Sequence, residues 1–234
     1  MKPKIFGIEH ILYLVIATVI AVTTIILAKK KLKTDKQQTI FIKCLGLILF
    51  ITILTNRISQ VFCYGKTQWH LLIPETFCGM TSLVLSLAVL FGKKDNPIFH
   101  FVWLIALFGG IAATVYANYI PDFDTFFHIT TITGLLHHTI SATLIVALLI
   151  FKHIHITYKK WYYPLLGFTC YFTIGAFLMA TFNLEDAFQM AKPLVENTPL
   201  TAWFVAPIFA VVYTIIIFTI EFIRKKQKNK SVAK

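Results

Sequence analysis

Residues 8–36 are IEHILYLVIATVIAVTTIILAKKKLKTDK, an apolar run followed at once by a cluster of lysines. A transmembrane helix needs roughly 20 mostly apolar residues to cross about 30 Å of hydrocarbon. Lysine is enriched in the cytoplasmic loops that follow such helices. The stretch therefore predicts a membrane span at 8–28, with the residues after it inside the cell.

Six further apolar runs follow along the chain, and each is long enough to cross a bilayer. The predicted spans are 8–28, 39–61, 72–92, 97–119, 128–151, 161–182 and 201–223. The chain of 234 residues is then a single all-α domain, 1–234, of seven transmembrane helices with a basic tail at 224–234. The longest connection, 183–200, is too polar to cross the membrane, and we expect it to cap a cavity on the outer side.

The basic residues lie in every second gap between the apolar runs. The gaps after the first, third and fifth runs and the tail after the seventh hold 16 of the 22 Lys and Arg residues. The positive-inside rule then predicts an external N-terminus and a cytoplasmic C-terminus, which requires an odd number of spans. The net charge of +12 therefore indicates contact with anionic lipid headgroups and not with nucleic acid.

The composition excludes several classes of protein and of site. The first run is too long for a signal peptide and lacks a small-residue cleavage site, so it is predicted to be retained. The four cysteines form no CxxC pair, which argues against a disulfide framework and against zinc. No glycine-rich phosphate loop is present, and no cofactor is expected. The excess of Ile, Phe, Lys and Asn is typical of a low-GC bacterium, so the predicted location is its cell membrane.

Cys78 is the first candidate for a functional residue, because a polar side chain in hydrocarbon is costly unless it faces the bundle interior. Pro74 suits the first turn of a helix, which would place Cys78 about one turn into the third span. A helix N-terminus favours the thiolate nucleophile, whereas nearby Glu75 opposes it. The alternative, a buried cysteine that acts as a small hydrophobic residue, is favoured by the spacing alone.

Three histidines lie on the fifth predicted span. His138 is ten residues beyond His128, about 15 Å further along the helix axis. Neighbouring His137 and His138 point about 100° apart, so only one is expected to face a given site well, and the helical turn favours His138 as the companion of His128. Either catalysis or an interhelical hydrogen bond explains histidines at this depth.

Two charged residues near the predicted outer face complete the candidates. Asp124 would share a face with His128 if the helix began early, although an exposed acid in a turn is the favoured interpretation. Arg57 interrupts the second span and either snorkels to the headgroups or binds a phosphate or carboxylate. Gly109-Gly110 indicates close helix packing. Because the polar candidates share the outer half or the middle of the membrane, they predict a single outward-facing cavity.

The order and spacing of these residues resemble the YwaF family of bacterial membrane proteins. The same superfamily includes the eukaryotic transmembrane protein 164, which looks like a cysteine-dependent phospholipid acyltransferase. The resemblance covers about 70–223. The chain departs from the family pattern at two places. The residues that precede Cys78, Pro74 to Phe77, differ from those of the family. His137 also stands beside His138, so either could be the equivalent of the family's histidine. The elements of the resemblance are Cys78, Gly109-Gly110, Pro121-Asp122, His128 with His138, and Asn183 with Lys192-Pro193.

The resemblance implies a membrane-embedded lipid acyltransferase or acyl hydrolase. Cys78 is then the expected nucleophile and His138 its general base. Other residues are expected to support the reaction by stabilising an oxyanion, holding a phosphate or orienting the imidazole. These supporting residues are His128, Asn183, Arg57, Asp124 and His137. The alternative is a non-enzymatic protein that binds lipid or a small ligand, or a transporter component, although neither inverted repeats nor broken helices are evident in the sequence.

Overall fold

The computed structural model describes residues 2–63, 68–193 and 197–232, and its regular structure within these ranges is helical throughout. The helices are α1 (Ile8–Lys31), α2 (Asp35–Cys63), α3 (Phe77–Phe91), α4 (Pro97–Leu104), α5 (Gly110–Val115), α6 (Ile129–Ile150), α7 (Tyr163–Phe182) and α8 (Ala202–Val232). The predicted all-α class is confirmed. Residues 194–196 of the predicted outer loop and residues 233–234 of the predicted tail lie outside the described residues.

The described helices include six segments that are long and apolar enough to cross a membrane. They are Ile8–Lys31, Asp35–Cys63, Pro97–Val115, Ile129–Ile150, Tyr158–Phe182 and Ala202–Gln227. The shorter apolar helix α3 occupies the place of the remaining predicted span. Its 15 residues extend over about 22 Å, less than the thickness of the hydrocarbon core. The chain is therefore a polytopic all-α membrane protein whose third apolar helix is short.

The start of α3 corrects the prediction of a span beginning at residue 72. Ile73 is extended, as expected for a residue that precedes proline, so the helix does not run through Pro74. Thr76 caps α3 instead, and its hydroxyl oxygen accepts a hydrogen bond from the Gly79 N–H at 3.2 Å. Cys78 is consequently the second residue of the helix and not one turn inside it.

The predicted span 97–119 is interrupted and ends early. A π-helical segment, Ile105–Gly109, separates α4 from α5. The helix ends at Val115 because the backbone turns at Tyr116 and leads into a short 3-10 turn, Ile120–Asp122. Single π-helical turns inside α-helices are often found at functional sites, and this one ends at the first glycine of the Gly109-Gly110 pair.

The chain divides into two compact units, of which the first comprises Met1–Lys94 and Trp103–His153. Within it, α6 contacts α1, α2, α3 and α5 and forms the centre of the packing. Helix α1 is attached by buried His10, whose Nε2–H donates to the Thr114 carbonyl oxygen at 2.9 Å while its Nδ1 accepts from the Phe6 N–H at 3.1 Å. Both ring nitrogens of His10 therefore serve structure.

The second unit comprises Asp95–Val102 and Ile154–Lys234, and contains α7, α8 and the start of α4. The Phe101 and Tyr171 rings meet edge to face, with 5.6 Å between their centroids. The Glu221 carboxylate of α8 accepts a hydrogen bond from the Tyr158 N–H at 2.8 Å. Aromatic packing and hydrogen bonds to backbone groups thus hold this unit together.

Candidate functional site

A cavity of about 310 Å³ opens in the first unit beside the C-terminal end of α2 and the N-terminal ends of α3 and α6. Its volume is at the lower end of the range for small-ligand sites. The buried part of its wall includes polar side chains that are rare inside membrane proteins, and its exposed edge is formed by residues of the turn after α5. The buried residues include Asn56, Arg57, His137 and His138, and the exposed edge includes Tyr116, Asn118 and Asp122.

Cys78 lines this cavity from the first turn of α3 and is partly exposed. An ideal Cβ placed on Gly109 would lie 3.4 Å from the Cys78 Sγ, so the glycine leaves space directly beside the sulfur. A Cβ on Gly110 would lie only 2.9 Å from the His138 carbonyl oxygen. Gly109 therefore borders the thiol at an ordinary contact distance, whereas Gly110 allows α5 to approach α6 closely.

His137 and His138 both line the cavity, and their ring centroids are 4.0 Å apart. The expectation that only one of the two faces a given site is therefore wrong. Because the cavity wraps around one side of α6, it reaches side chains that leave the helix about 100° apart. The Nδ1 of His137 lies 3.1 Å from the Ser82 hydroxyl oxygen on α3, whereas His138 is adjacent in space to the helix that carries Gly110.

Arg57 is buried, with 7% of its surface exposed, and it lines the cavity instead of extending to the headgroups. Its guanidinium donates to the Asn56 Oδ1 at 2.6 Å. The Asn56 amide nitrogen in turn donates to the Thr130 carbonyl oxygen at 3.1 Å and to the Thr133 hydroxyl oxygen at 3.0 Å. Asn56 thus connects the guanidinium to α6 and holds a cation at the cavity wall.

His128 is the N-cap of α6 and is not among the described residues that line the cavity, but it contacts two lining residues, Phe123 and Thr130. Its Nδ1 accepts from the Thr130 N–H at 3.3 Å, and its ring stacks on Phe123 with 4.0 Å between centroids. Its Nε2 is 3.9 Å from the Cys63 Sγ. These contacts explain His128 as a capping residue, which is a structural role that its position in the sequence did not indicate.

Two further predicted supporting residues also lie apart from the cavity lining. Helix α6 begins at Ile129, so Asp124 precedes it and does not share a helical face with His128. The Asp124 side chain is exposed and lies 3.9 Å from the Lys2 ammonium, as expected for an acid in a turn. Asn183 belongs to the second unit, where it ends α7 in the left-handed conformation, with φ 52°.

The sequence did not predict the two buried serines that form a hydrogen-bonded chain with His137, one of the cavity-lining residues. Ser82 and Ser141 are buried between α3 and α6, with 2.9 Å between their hydroxyl oxygens. Ser141 is four residues after His137, the spacing that places two side chains on one helical face. That spacing was visible in the sequence, but Ser82 lies on a different helix and its position depends on tertiary packing.

The cavity combines three chemical functions at its wall. A thiol is a nucleophile, an imidazole transfers protons near neutral pH, and a guanidinium binds carboxylates, phosphates and developing oxyanions. The structure brings together Cys78, His137, His138 and Arg57 from three separate stretches of sequence. The described lining of the cavity does not include His128 or Asp124.

Comparison with models of protein families gives a match. Searches of curated proteins and of solved structures returned no match. The closer resemblance to the YwaF family stays a prediction. The matching family model covers residues 5–230, nearly the whole chain, and the protein belongs to the TMEM164 family.

Proposed function

We propose that this protein is a membrane-embedded lipid acyltransferase or acyl hydrolase in which Cys78 is the nucleophile and His138 the general base. One observation carries the proposal: a thiol, two imidazoles and a guanidinium line the same cavity of a polytopic membrane protein. A buried guanidinium and histidines are costly in a membrane, so their collection around an open space favours a site over packing alone.

The proposed reaction has two steps that exchange one ester for another. His138 accepts the proton of the Cys78 thiol as the sulfur attacks the acyl carbonyl carbon of a lipid ester. The carbon–oxygen bond of the tetrahedral intermediate then breaks, and the proton passes from His138 to the leaving lipid oxygen. An acyl thioester remains on Cys78. An alcohol or water then gives its proton to His138 and attacks the thioester carbon. The carbon–sulfur bond breaks, and the proton passes from His138 to the Cys78 sulfur. An alcohol yields a new ester, and water yields a free fatty acid.

The size of the cavity and its charge support recognition at the polar part of a lipid. A volume of about 310 Å³ accommodates an ester and part of a headgroup better than two complete acyl chains. Arg57 supplies the positive charge that a phosphate or an oxyanion requires. The acyl chains can remain in hydrocarbon, because the surface of α1 and α2 in the same unit exposes many large apolar side chains.

The predicted topology supplies a route for the lipid. If Lys93 and Lys94 mark the cytoplasmic boundary after α3, Cys78 lies about 20 Å above it. The thiol is then inside the hydrocarbon layer but nearer its outer boundary, where the ester groups of the outer leaflet lie. We therefore propose an outward-facing mouth, lined by Asn118 and Asp122, in a cell membrane.

Cysteine labelling tests this proposal. The purified protein in detergent is incubated with a thiol-directed lipid probe, and each of the four cysteines is quantified by mass spectrometry. We expect selective labelling of Cys78 that is lost in His138→Ala, whereas exposed Cys44 and Cys170 serve as internal references for accessibility. Equal labelling of all four thiols, or none at Cys78, would identify a structural cysteine and favour a lipid-binding protein without catalysis.

A further inference from the structure

Two buried serines form a hydrogen-bonded chain with His137, one of the two histidines of the cavity. The Ser82 hydroxyl oxygen is 3.1 Å from the His137 Nδ1 and 2.9 Å from the Ser141 hydroxyl oxygen. Ser82 and Ser141 are 1% and 2% exposed, so bulk water does not compete for these bonds. The three groups form a buried chain that ends on one nitrogen of one imidazole.

The protons of the two hydroxyl groups determine the direction of this chain. If Ser141 donates to Ser82 and Ser82 donates to His137, both hydroxyl protons are bonded. In the opposite direction the His137 Nδ1–H donates to Ser82 and Ser82 donates to Ser141, and the Ser141 proton then has no acceptor among the described residues. A buried donor without a partner costs about 1–3 kcal/mol, so the first direction is favoured.

We infer that Ser82 and Ser141 fix His137 in the tautomer with its proton on Nε2 and make it a hydrogen-bond donor to the cavity. Because the Nδ1 accepts from Ser82, the Nε2–H is the group that this ring offers to a ligand. The inference rests on the proposed function for its catalytic meaning. In that reaction His137 donates to the oxyanion of the tetrahedral intermediate, and His138 transfers the proton.

This assignment gives the adjacent histidines different roles, because Ser82 bonds to His137. A donor aimed at a developing oxyanion stabilises the transition state more than the bound ester, so its loss lowers kcat more than it raises KM. Ser82 does not touch the reacting atoms and is a positioning residue. Its removal frees His137 to exchange tautomers, and only part of the population then presents a donor.

The test combines nuclear magnetic resonance with kinetics on the full chain in lipid nanodiscs. With nitrogen-15 histidine, the His137 signals are assigned by their loss in His137→Gln. We expect a non-protonated Nδ1 and a protonated Nε2 in the unmodified protein, and a mixture of tautomers in Ser82→Ala. With phosphatidylcholine that carries a fluorescent acyl chain, Ser82→Ala should lower kcat by about tenfold to 100-fold and change KM by less than about twofold.

Ser86→Ala is the matched control, because Ser86 is also buried on α3 but its hydroxyl donates to the Leu83 carbonyl oxygen of its own helix at 2.7 Å. This variant should leave the tautomer and the kinetics unchanged. A protonated Nδ1 in the unmodified protein, or an Ser82→Ala protein with unchanged tautomer and kcat, would overturn the inference. Full acyl transfer by Cys78→Ala would overturn the proposed function instead, and the resonance measurement would still decide the tautomer.

Discussion

Two clusters of polar side chains, one in each unit, use histidine in opposite ways. In the second unit the Asp95 carboxylate accepts hydrogen bonds from Lys160, from the His100 Nε2 at 2.8 Å and from the His155 N–H at 2.9 Å. The Lys160 ammonium also lies 2.9 Å from the His100 Nε2, so the side chains of this cluster bond to one another. In the first unit the histidines line a cavity. Composition alone therefore does not distinguish the two clusters, whereas the cavity beside the histidines of the first unit does.

The charges of the two clusters also differ. Partial burial by itself raises the pKa of Asp95, but the Lys160 ammonium and the His155 N–H hold it below its usual range. The Asp95 cluster is thus an ion pair that contributes to stability at neutral pH. In the cavity, the hydrogen bond described for the Arg57 guanidinium is to the neutral amide of Asn56, at 2.6 Å.

The largest difference between the clusters should appear when a histidine is replaced. His138→Gln removes the proposed general base and should lower the rate of acyl transfer from fluorescent phosphatidylcholine by about 10²- to 10⁴-fold. His155→Gln, at an exposed histidine of the Asp95 cluster, is the control and should retain the full rate. Comparable rates for the two variants would remove the distinction between a catalytic and a structural histidine.

Replacement of the cavity cation should have a smaller effect. Arg57→Gln removes the positive charge proposed to hold the phosphate, and we expect KM for the same lipid to rise by about tenfold, or 1.4 kcal/mol. Arg224→Gln is the control, because that guanidinium belongs to the second unit and donates to the Ile156 carbonyl oxygen at 2.7 Å. An unchanged KM in Arg57→Gln would show that this cation serves folding alone.

The two adjacent glycines distinguish effects on the thiol from effects on packing. Gly109→Ala adds a Cβ 3.4 Å from the Cys78 Sγ, an ordinary contact that should not lower stability. Because the added methyl group occupies space beside the reacting sulfur, we expect it to lower the rate several-fold. Gly110→Ala places a Cβ 2.9 Å from the His138 carbonyl oxygen and should destabilise the fold by about 1–3 kcal/mol. Thermal unfolding in detergent and the acyl-transfer rate measure the two effects. A Gly109→Ala protein that is destabilised, but whose rate per folded molecule is unchanged, would contradict this distinction between the two glycines.

The smallest effect is expected in the Asp95 cluster. Because the folded-state pKa of Asp95 is lowered, its stabilisation is present above the ordinary carboxyl pKa of about 4 and is lost as the pH falls through the lowered value. Asp95→Asn should therefore lower the free energy of unfolding at pH 7 by at most about 1 kcal/mol, which appears as a lower unfolding temperature. The difference from the unmodified protein should narrow toward pH 3. A difference independent of pH would show that the carboxylate charge is not involved.

The sequence determines the helices because apolar runs of sufficient length have few other structures in a membrane. It also identifies Cys78, His137, His138 and Arg57 as polar residues within them. The errors occur where local backbone chemistry or tertiary contacts decide. Pro74 and Thr76 delay the start of α3, and packing places Ser82 behind His137. No pattern along one helix indicates a partner on another helix.

The most direct test is intact-protein mass spectrometry after a brief incubation with phosphatidylcholine in nanodiscs. We expect the added mass of one acyl chain, which the peptide digest localises to Cys78. Neutral hydroxylamine should release it, as expected for a thioester, and it should be absent in Cys78→Ala. An acyl adduct on another residue, or acyl transfer that continues in Cys78→Ala, would contradict the assignment of Cys78 as the nucleophile.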